Sequence, residues 1–144
     1  MSILSPEFVR AYIQDAAANN YLLEGLQFED DQIFQAENLA IDFFNVMTPI
    51  SNYDSTSFPN KSLLLFGTLW HLYMGAAARA ARNTMSYSDA GLQIPIEERF
   101  EMYTQMSAEY RAMFQDASRQ LKVQLNVESG WSFVGSDYSR FPGW

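Results

Sequence analysis

The chain has 144 residues, 48% of them hydrophobic and 18% charged, a composition that excludes intrinsic disorder and predicts one buried core. Cysteine is absent, which excludes disulfides, thiolate metal sites and a cysteine nucleophile. The net charge of −8 sits mostly before residue 61, where nine acids face Arg10 alone; it argues against tight, salt-dependent nucleic-acid binding without excluding a wall past which DNA slides.

The N-terminal MSILSPEF has neither the basic start nor the apolar stretch of a secretory signal, so a protein made and kept in a cytoplasm is expected. Ser5-Pro6-Glu7 is a helix start, combining a capping hydroxyl, a proline where no donor is needed and an acid in the first turn. Phe8/Val9, Tyr12/Ile13 and Ala16 continue it as a short amphipathic helix that Asn19-Asn20 stops. Asp30-Asp31 are expected to cap a second helix, with Ile33, Ala36, Ala40, Phe43/Phe44 and Met47 on one face, Glu37 and Asp42 pointing elsewhere, and Pro49 at its end. Residues 49–62, PISNYDSTSFPNKS, have the composition of a loop.

The segment SLLLFGTLWHLYMGAAARAARN follows, with seventeen uncharged residues between Lys61 and Arg79. A membrane span needs about 20 apolar residues, and this run carries Thr68 and His71, so it reads as a helix buried by its neighbours. Its small residues, Gly75 to Ala78, Ala80 and Ala81, would let another backbone come close. Residues 83–95 form a turn-rich connection around Asp89-Ala90-Gly91. Pro95 then opens the longest helix, whose stripe of Ile96, Phe100, Tyr103, Met106, Tyr110, Met113/Phe114 and Ala117 predicts antiparallel packing on the apolar helix. After about Gln120, Leu121, Val123, Leu125 and Val127 alternate with polar residues; an extended segment is favoured, although Leu121 and Leu125 also fit a continuing helix.

The final stretch, ESGWSFVGSDYSRFPGW, contains Gly130, Gly135, Pro142 and Gly143, which argue against a helix. Its five rings, Trp131, Phe133, Tyr138, Phe141 and Trp144, amount at about 150–250 Å² each to roughly 1,000 Å², more than the 300–600 Å² or so of a monomer's largest exposed apolar patch. Either the segment folds back over its own helices or, as the favoured reading, it is an arm that binds a neighbouring subunit or partner, with Trp131 and Phe133 placed for strand addition. The expected fold is therefore mainly α, a small helix bundle over 1–127 with an extended or short-β C-terminal arm over 128–144.

Catalytic and metal-binding patterns are sparse. His71 is the single histidine, so no multi-histidine metal site exists, and a hydrogen-bonded core role is expected for it. Asp30-Asp31 and Glu97-Glu98 sit at helix starts, where capping accounts for them better than acid–base chemistry. Tyr87-Ser88-Asp89 is explained by turn chemistry, and no phosphate, calcium or zinc loop is present. Arg79 and Arg82, one turn apart, suit either an anion contact or the commoner snorkelling at the end of a buried helix. Neither an enzyme nor a cofactor is expected. An enzyme built on His71 or on Tyr87 and Asp89, and a membrane-active protein, are the weaker rivals.

Four stretches, AARAARN, YSDAGL, IPIEERFEMY and SGWSF with more aromatics beyond it, together resemble the small head-to-tail connector proteins of tailed bacteriophages, called adaptor, neck or head-completion proteins. The likeness covers about residues 62–144; residues 1–48 agree only in being helical and acidic. The resemblance implies a structural virion protein at the head–tail junction, assembled in the host cytoplasm. It implies a homo-oligomeric ring, a dodecamer, between the portal protein and the tail or a second neck protein. DNA would pass through the lumen as non-specific cargo, and no membrane would be involved. The partner-binding residues are then Trp131, Phe133, Tyr138, Phe141 and Trp144. The alternative is a soluble helical protein-binding or regulatory module that forms no ring.

Overall fold

A computed structural model describes residues 2–20, 25–83 and 96–133, without the side chains of 83, 96–98 and 131–133. Within them the protein is mainly α, a small bundle built from α1 (Pro6–Ile13), α2 (Asp30–Val46), α3 (Lys61–Asn83) and α4 (Ile96–Phe133), with no strand among the described residues.

Helix α1 starts as its sequence dictates: the Ser5 hydroxyl accepts a hydrogen bond from the Phe8 N–H at 3.3 Å and Pro6 fills the first turn. It stops earlier than Ala16, at Gln14, whose φ of 56° is left-handed. Asp15 is drawn off to serve the following loop. Its carboxylate accepts from the Gln27 N–H at 2.8 Å, the Phe28 N–H at 3.0 Å and the Asn20 side chain at 2.5 Å. Arg10 completes the latch, donating to the Phe28 carbonyl at 3.1 and 3.2 Å and pairing with Asp30.

The cap of α2 is Glu29, whose N–H donates to Gln32 Oε1 at 3.1 Å, while Asp30 and Asp31 occupy the first turn, where the helix dipole favours them. Glu37, expected to point away from the core, is 2% exposed and accepts from the Ser2 hydroxyl. Burial pushes its carboxyl above the usual range. Ile33, Ala36, Ala40, Ile41 and Phe44 share its buried face, whereas Phe43 stays on the rim. The loop after α2 hangs on Asn45, whose amide bonds both the N–H and the carbonyl of Tyr53 at 2.9 and 2.8 Å. Asn60 closes the loop by accepting from the Leu63 N–H at 3.0 Å at the start of α3.

Helix α3 lies at the centre, packed against both α2 and α4. Its contacts with α4 run antiparallel: Phe66 stacks on Tyr110 at 6.2 Å, Ser107 donates to the Trp70 carbonyl at 3.2 Å, and Tyr73 stacks on Tyr103 at 6.1 Å. Tyr73 also stacks on Tyr110 at 5.8 Å, and burial, with the two neighbouring phenols, pushes the Tyr73 hydroxyl up to about 12. Gly67 marks the closest approach. A methyl group there would lie 2.7 Å from both Ala40 Cβ on α2 and Phe114 Cε2 on α4.

The extended segment expected after Gln120 is not formed: α4 runs unbroken to Phe133, across the boundary expected between 127 and 128. Leu121 and Leu125 continue the stripe set by Phe114 and Ala117 against the core, so a helix buries them while satisfying its own backbone. Val123 and Val127, which alternation would place with them, point away instead, 64% and 49% exposed. Lys122 is 2% exposed and binds the loop, donating to the Pro49 carbonyl at 2.7 Å and Ser51 Oγ at 2.6 Å, with its ammonium 4.4 Å from the Phe44 ring centre. Gly130 is accommodated inside α4, its Cβ direction open, because adding one residue to an existing helix needs no new nucleus. Phe100 and Met113, expected on the buried stripe, are exposed.

Two predictions concern this core. Gly67→Ala should lower stability: overpacking costs about 1–3 kcal/mol against roughly 1 kcal/mol gained in helix propensity, a net fall of several degrees in the thermal midpoint. Gly75→Ala, with nothing within 4 Å of the added methyl, should raise the midpoint instead. Equal shifts in the two variants would show that α3 is not held against both neighbours at Gly67. Glu37→Gln should stabilise at pH 7. The folded carboxyl has its pKa raised above 4.5, so the wild type is penalised once Glu37 must ionise and relieved below that pH. The advantage of the variant should shrink as pH falls toward 4.5 in denaturant titrations.

Candidate functional site

The arginines and the histidine that the sequence marks on α3 meet in one place. Between α2, the C-terminal half of α3 and the first turns of α4 lies an open cleft of about 640 Å³. Leu26, Phe28, Ala36, Leu39, Leu72 and Ala76 give it apolar lining. Arg79 and Arg82 enter from α3 and Arg99 from α4. Among the described residues no carboxylate is in the lining, and the ion pairs there involve Arg10 and Arg119, not the three cleft arginines.

The local sequence explains the arrangement. Alanines and Gly75 around Arg79 and Arg82 keep the end of α3 slim, so the cleft stays open where larger side chains would fill it. Arg79 and Arg82 are three residues apart and therefore neighbours on one helical face. Arg99 comes from the antiparallel partner helix. Gln27, Gln32 and Gln35 add amides, and Gln27 donates to the Tyr103 hydroxyl at 2.9 Å.

His71 stands in this lining, stacked on Trp70 with ring centres 4.2 Å apart. The hydrogen-bonded core role expected for it is not what the structure has: both ring nitrogens are shielded from solvent and neither has a hydrogen-bond partner. Burial pushes the imidazole below its usual value, which favours the neutral ring at pH 7. Among the described residues no acid lines the cleft beside it. What the cleft can do chemically is bind an anion that carries apolar surface; it offers guanidinium forks, amides and a greasy floor.

The expected arm residues fall elsewhere. Trp131 and Phe133 lie on the last turn of α4, and Tyr138, Phe141 and Trp144 lie outside the described residues. So do Tyr87, Ser88 and Asp89. Among the described side chains the last core contact of α4 is Leu125; from Asn126 to Gly130 every residue is exposed. Arg99 is the cleft arginine that the sequence does not mark, and only the antiparallel pairing of α3 and α4 brings it to Arg79 and Arg82.

Among the described residues no group of acidic or histidine side chains could hold a metal ion, and no helix is long and apolar enough to cross a membrane. No protein-family model, curated protein or solved structure matches the chain.

The histidine yields a pH prediction. Its folded pKa is depressed below 6.5, so on acidification the unfolded chain takes up the proton first and the native state loses stability. His71→Leu removes that loss. The stability difference between His71→Leu and wild type should move in favour of the variant as pH is lowered from 7 to 5; a constant difference would mean that His71 titrates normally in the fold.

Proposed function

We propose that this protein is a structural virion subunit, a head-to-tail connector of the adaptor or neck type, that assembles into a ring between portal and tail through which DNA passes. The observation that carries the reading is the C-terminal end of α4. Over Asn126 to Gly130 it has no core to cover, it presents Val123 and Val127 outward, and it leads directly into the aromatic-rich terminal sequence. A helix end with apolar residues facing away from its own bundle favours contact with another chain.

The acidic excess over residues 1–60 agrees with this role, since a wall of the same sign as DNA gives weak contacts that let it slide. The residues proposed to engage portal or neighbouring subunits are Trp131, Phe133, Tyr138, Phe141 and Trp144. No catalysis is proposed. The second reading, a helical protein-binding module that forms no ring, is favoured by one feature, the arginine cleft at the opposite end of α4.

Removal of residues 129–144 takes away the last five residues of α4, and no core residue among those described lies beyond Leu125. The truncated protein should keep nearly all its helical circular dichroism and lose ring formation or portal association in negative-stain images. Rings that persist unchanged would count against the arm. A full-length protein that stays monomeric with and without portal would count against the connector reading itself.

A further inference from the structure

We propose that the cleft lined by Arg79, Arg82 and Arg99 is a docking site for an acidic segment of a partner protein, one that carries carboxylates beside a bulky apolar side chain. Three guanidinium groups share the lining with no acid among the described residues, on a chain whose net charge is −8. Like charges brought together in a fold oppose one another, and an arriving carboxylate relieves that repulsion while forming paired N–H···O bonds with the planar fork of arginine.

The apolar part of the ligand is set by the floor and the lip. Phe28 and Leu72 are buried at the base, while Leu26 and Leu39 are 48% and 52% exposed and carry greasy surface out of the cleft. A lip of that kind continues beyond the cavity, which suits a polypeptide running past it better than a small molecule enclosed within it. The volume of about 640 Å³ lies within the usual range for ligand sites and accommodates a few side chains. Gln32 and Gln35 supply hydrogen-bonding capacity for a peptide backbone.

Charge also gives selectivity. The acidic excess behind the net charge of −8 opposes an acidic partner, so the three arginines of the cleft concentrate the attraction there. The cleft lies far from the end of α4. Arg99 and Phe133 are thirty-four residues apart on one helix, about 50 Å at 1.5 Å per residue.

The test uses the full chain and three probes: a fluorescein-labelled eight-residue peptide alternating Glu with Phe and Leu, the same peptide with Gln for Glu, and decanoate as a competing small amphipathic anion. The Glu peptide should bind saturably by fluorescence anisotropy, and the Gln peptide at least about tenfold more weakly. The double variant Arg79→Gln, Arg82→Gln, checked for unchanged helical circular dichroism, should lose about tenfold or more in affinity for the Glu peptide. Because both arginines are exposed, the variant should fold. Equal binding of the two peptides, no effect of the double variant, or no saturable binding of the Glu peptide up to about 1 mM would each overturn the proposal. Decanoate binding in the cleft without peptide binding would overturn it in favour of a small-molecule anion. Rings that form while the peptide fails to bind would leave the connector reading standing and sink this one; peptide binding by a persistent monomer would do the reverse.

Discussion

The close approach of three helices at Gly67 is the constraint on which the rest of the bundle depends. With hydrogen in place of a side chain, α3 can press against Ala40 of α2 and the ring of Phe114 of α4 at the same level. Phe114 is fully buried and tilts against both Trp70 and Phe43 at 6.0 Å, so one ring touches two helices beside the glycine. Once that junction is set, the antiparallel run of α3 and α4 brings Tyr73 opposite Tyr103 and Phe66 opposite Tyr110. The same run places Arg99 across the cleft from Arg79 and Arg82.

The described parts of the segments between α1 and α2 and between α2 and α3 are held by single polar side chains, each making several hydrogen bonds. Asp15 takes two N–H groups of the turn before α2, Asn45 serves Tyr53 on both its donor and acceptor sides, and Lys122 reaches from α4 to the loop at Pro49 and Ser51. Burial of Glu37 and Lys122 has a cost: it pushes the carboxyl up and the ammonium down from their ordinary values. Each carries a tether in return, Glu37 to Ser2 and Lys122 to the loop. Such contacts fix loops that have little apolar surface of their own.

Helix α4 divides the functional surface into two ends. Near its start, cations and apolar residues line a cleft; toward its other end, Val123 and Val127 are exposed and the helix leads toward the aromatic-rich terminal sequence. Exposed apolar surface occurs at both ends, joined at the first by arginines. A subunit with unlike binding surfaces at its two ends is suited to joining unlike neighbours, which is the physical content of the connector proposal.

Periodicity, caps and composition in the sequence determined the mainly helical class, the start of α1 at Ser5-Pro6, the span of α3 and most of the buried stripe of α4, because these depend on residues three or four apart. The extent of α4 was a different matter. Leu121, Val123, Leu125 and Val127 satisfy a strand's alternation as well as half of a helical stripe, and only the presence of a core beside Leu121 and Leu125 but not beside the valines decided for helix. Glu37 reads as pointing away from the core, and nothing local to it or to Lys122 shows that Ser2 or the Pro49 carbonyl will come to meet them. The cleft was half legible: Arg79 and Arg82 stood out as one-turn neighbours, but their joining with Arg99 and His71 required the antiparallel pairing of α3 and α4. Local order is written in short-range spacing, whereas which charges end up together depends on contacts between residues far apart in the chain, and those the tertiary structure alone decided.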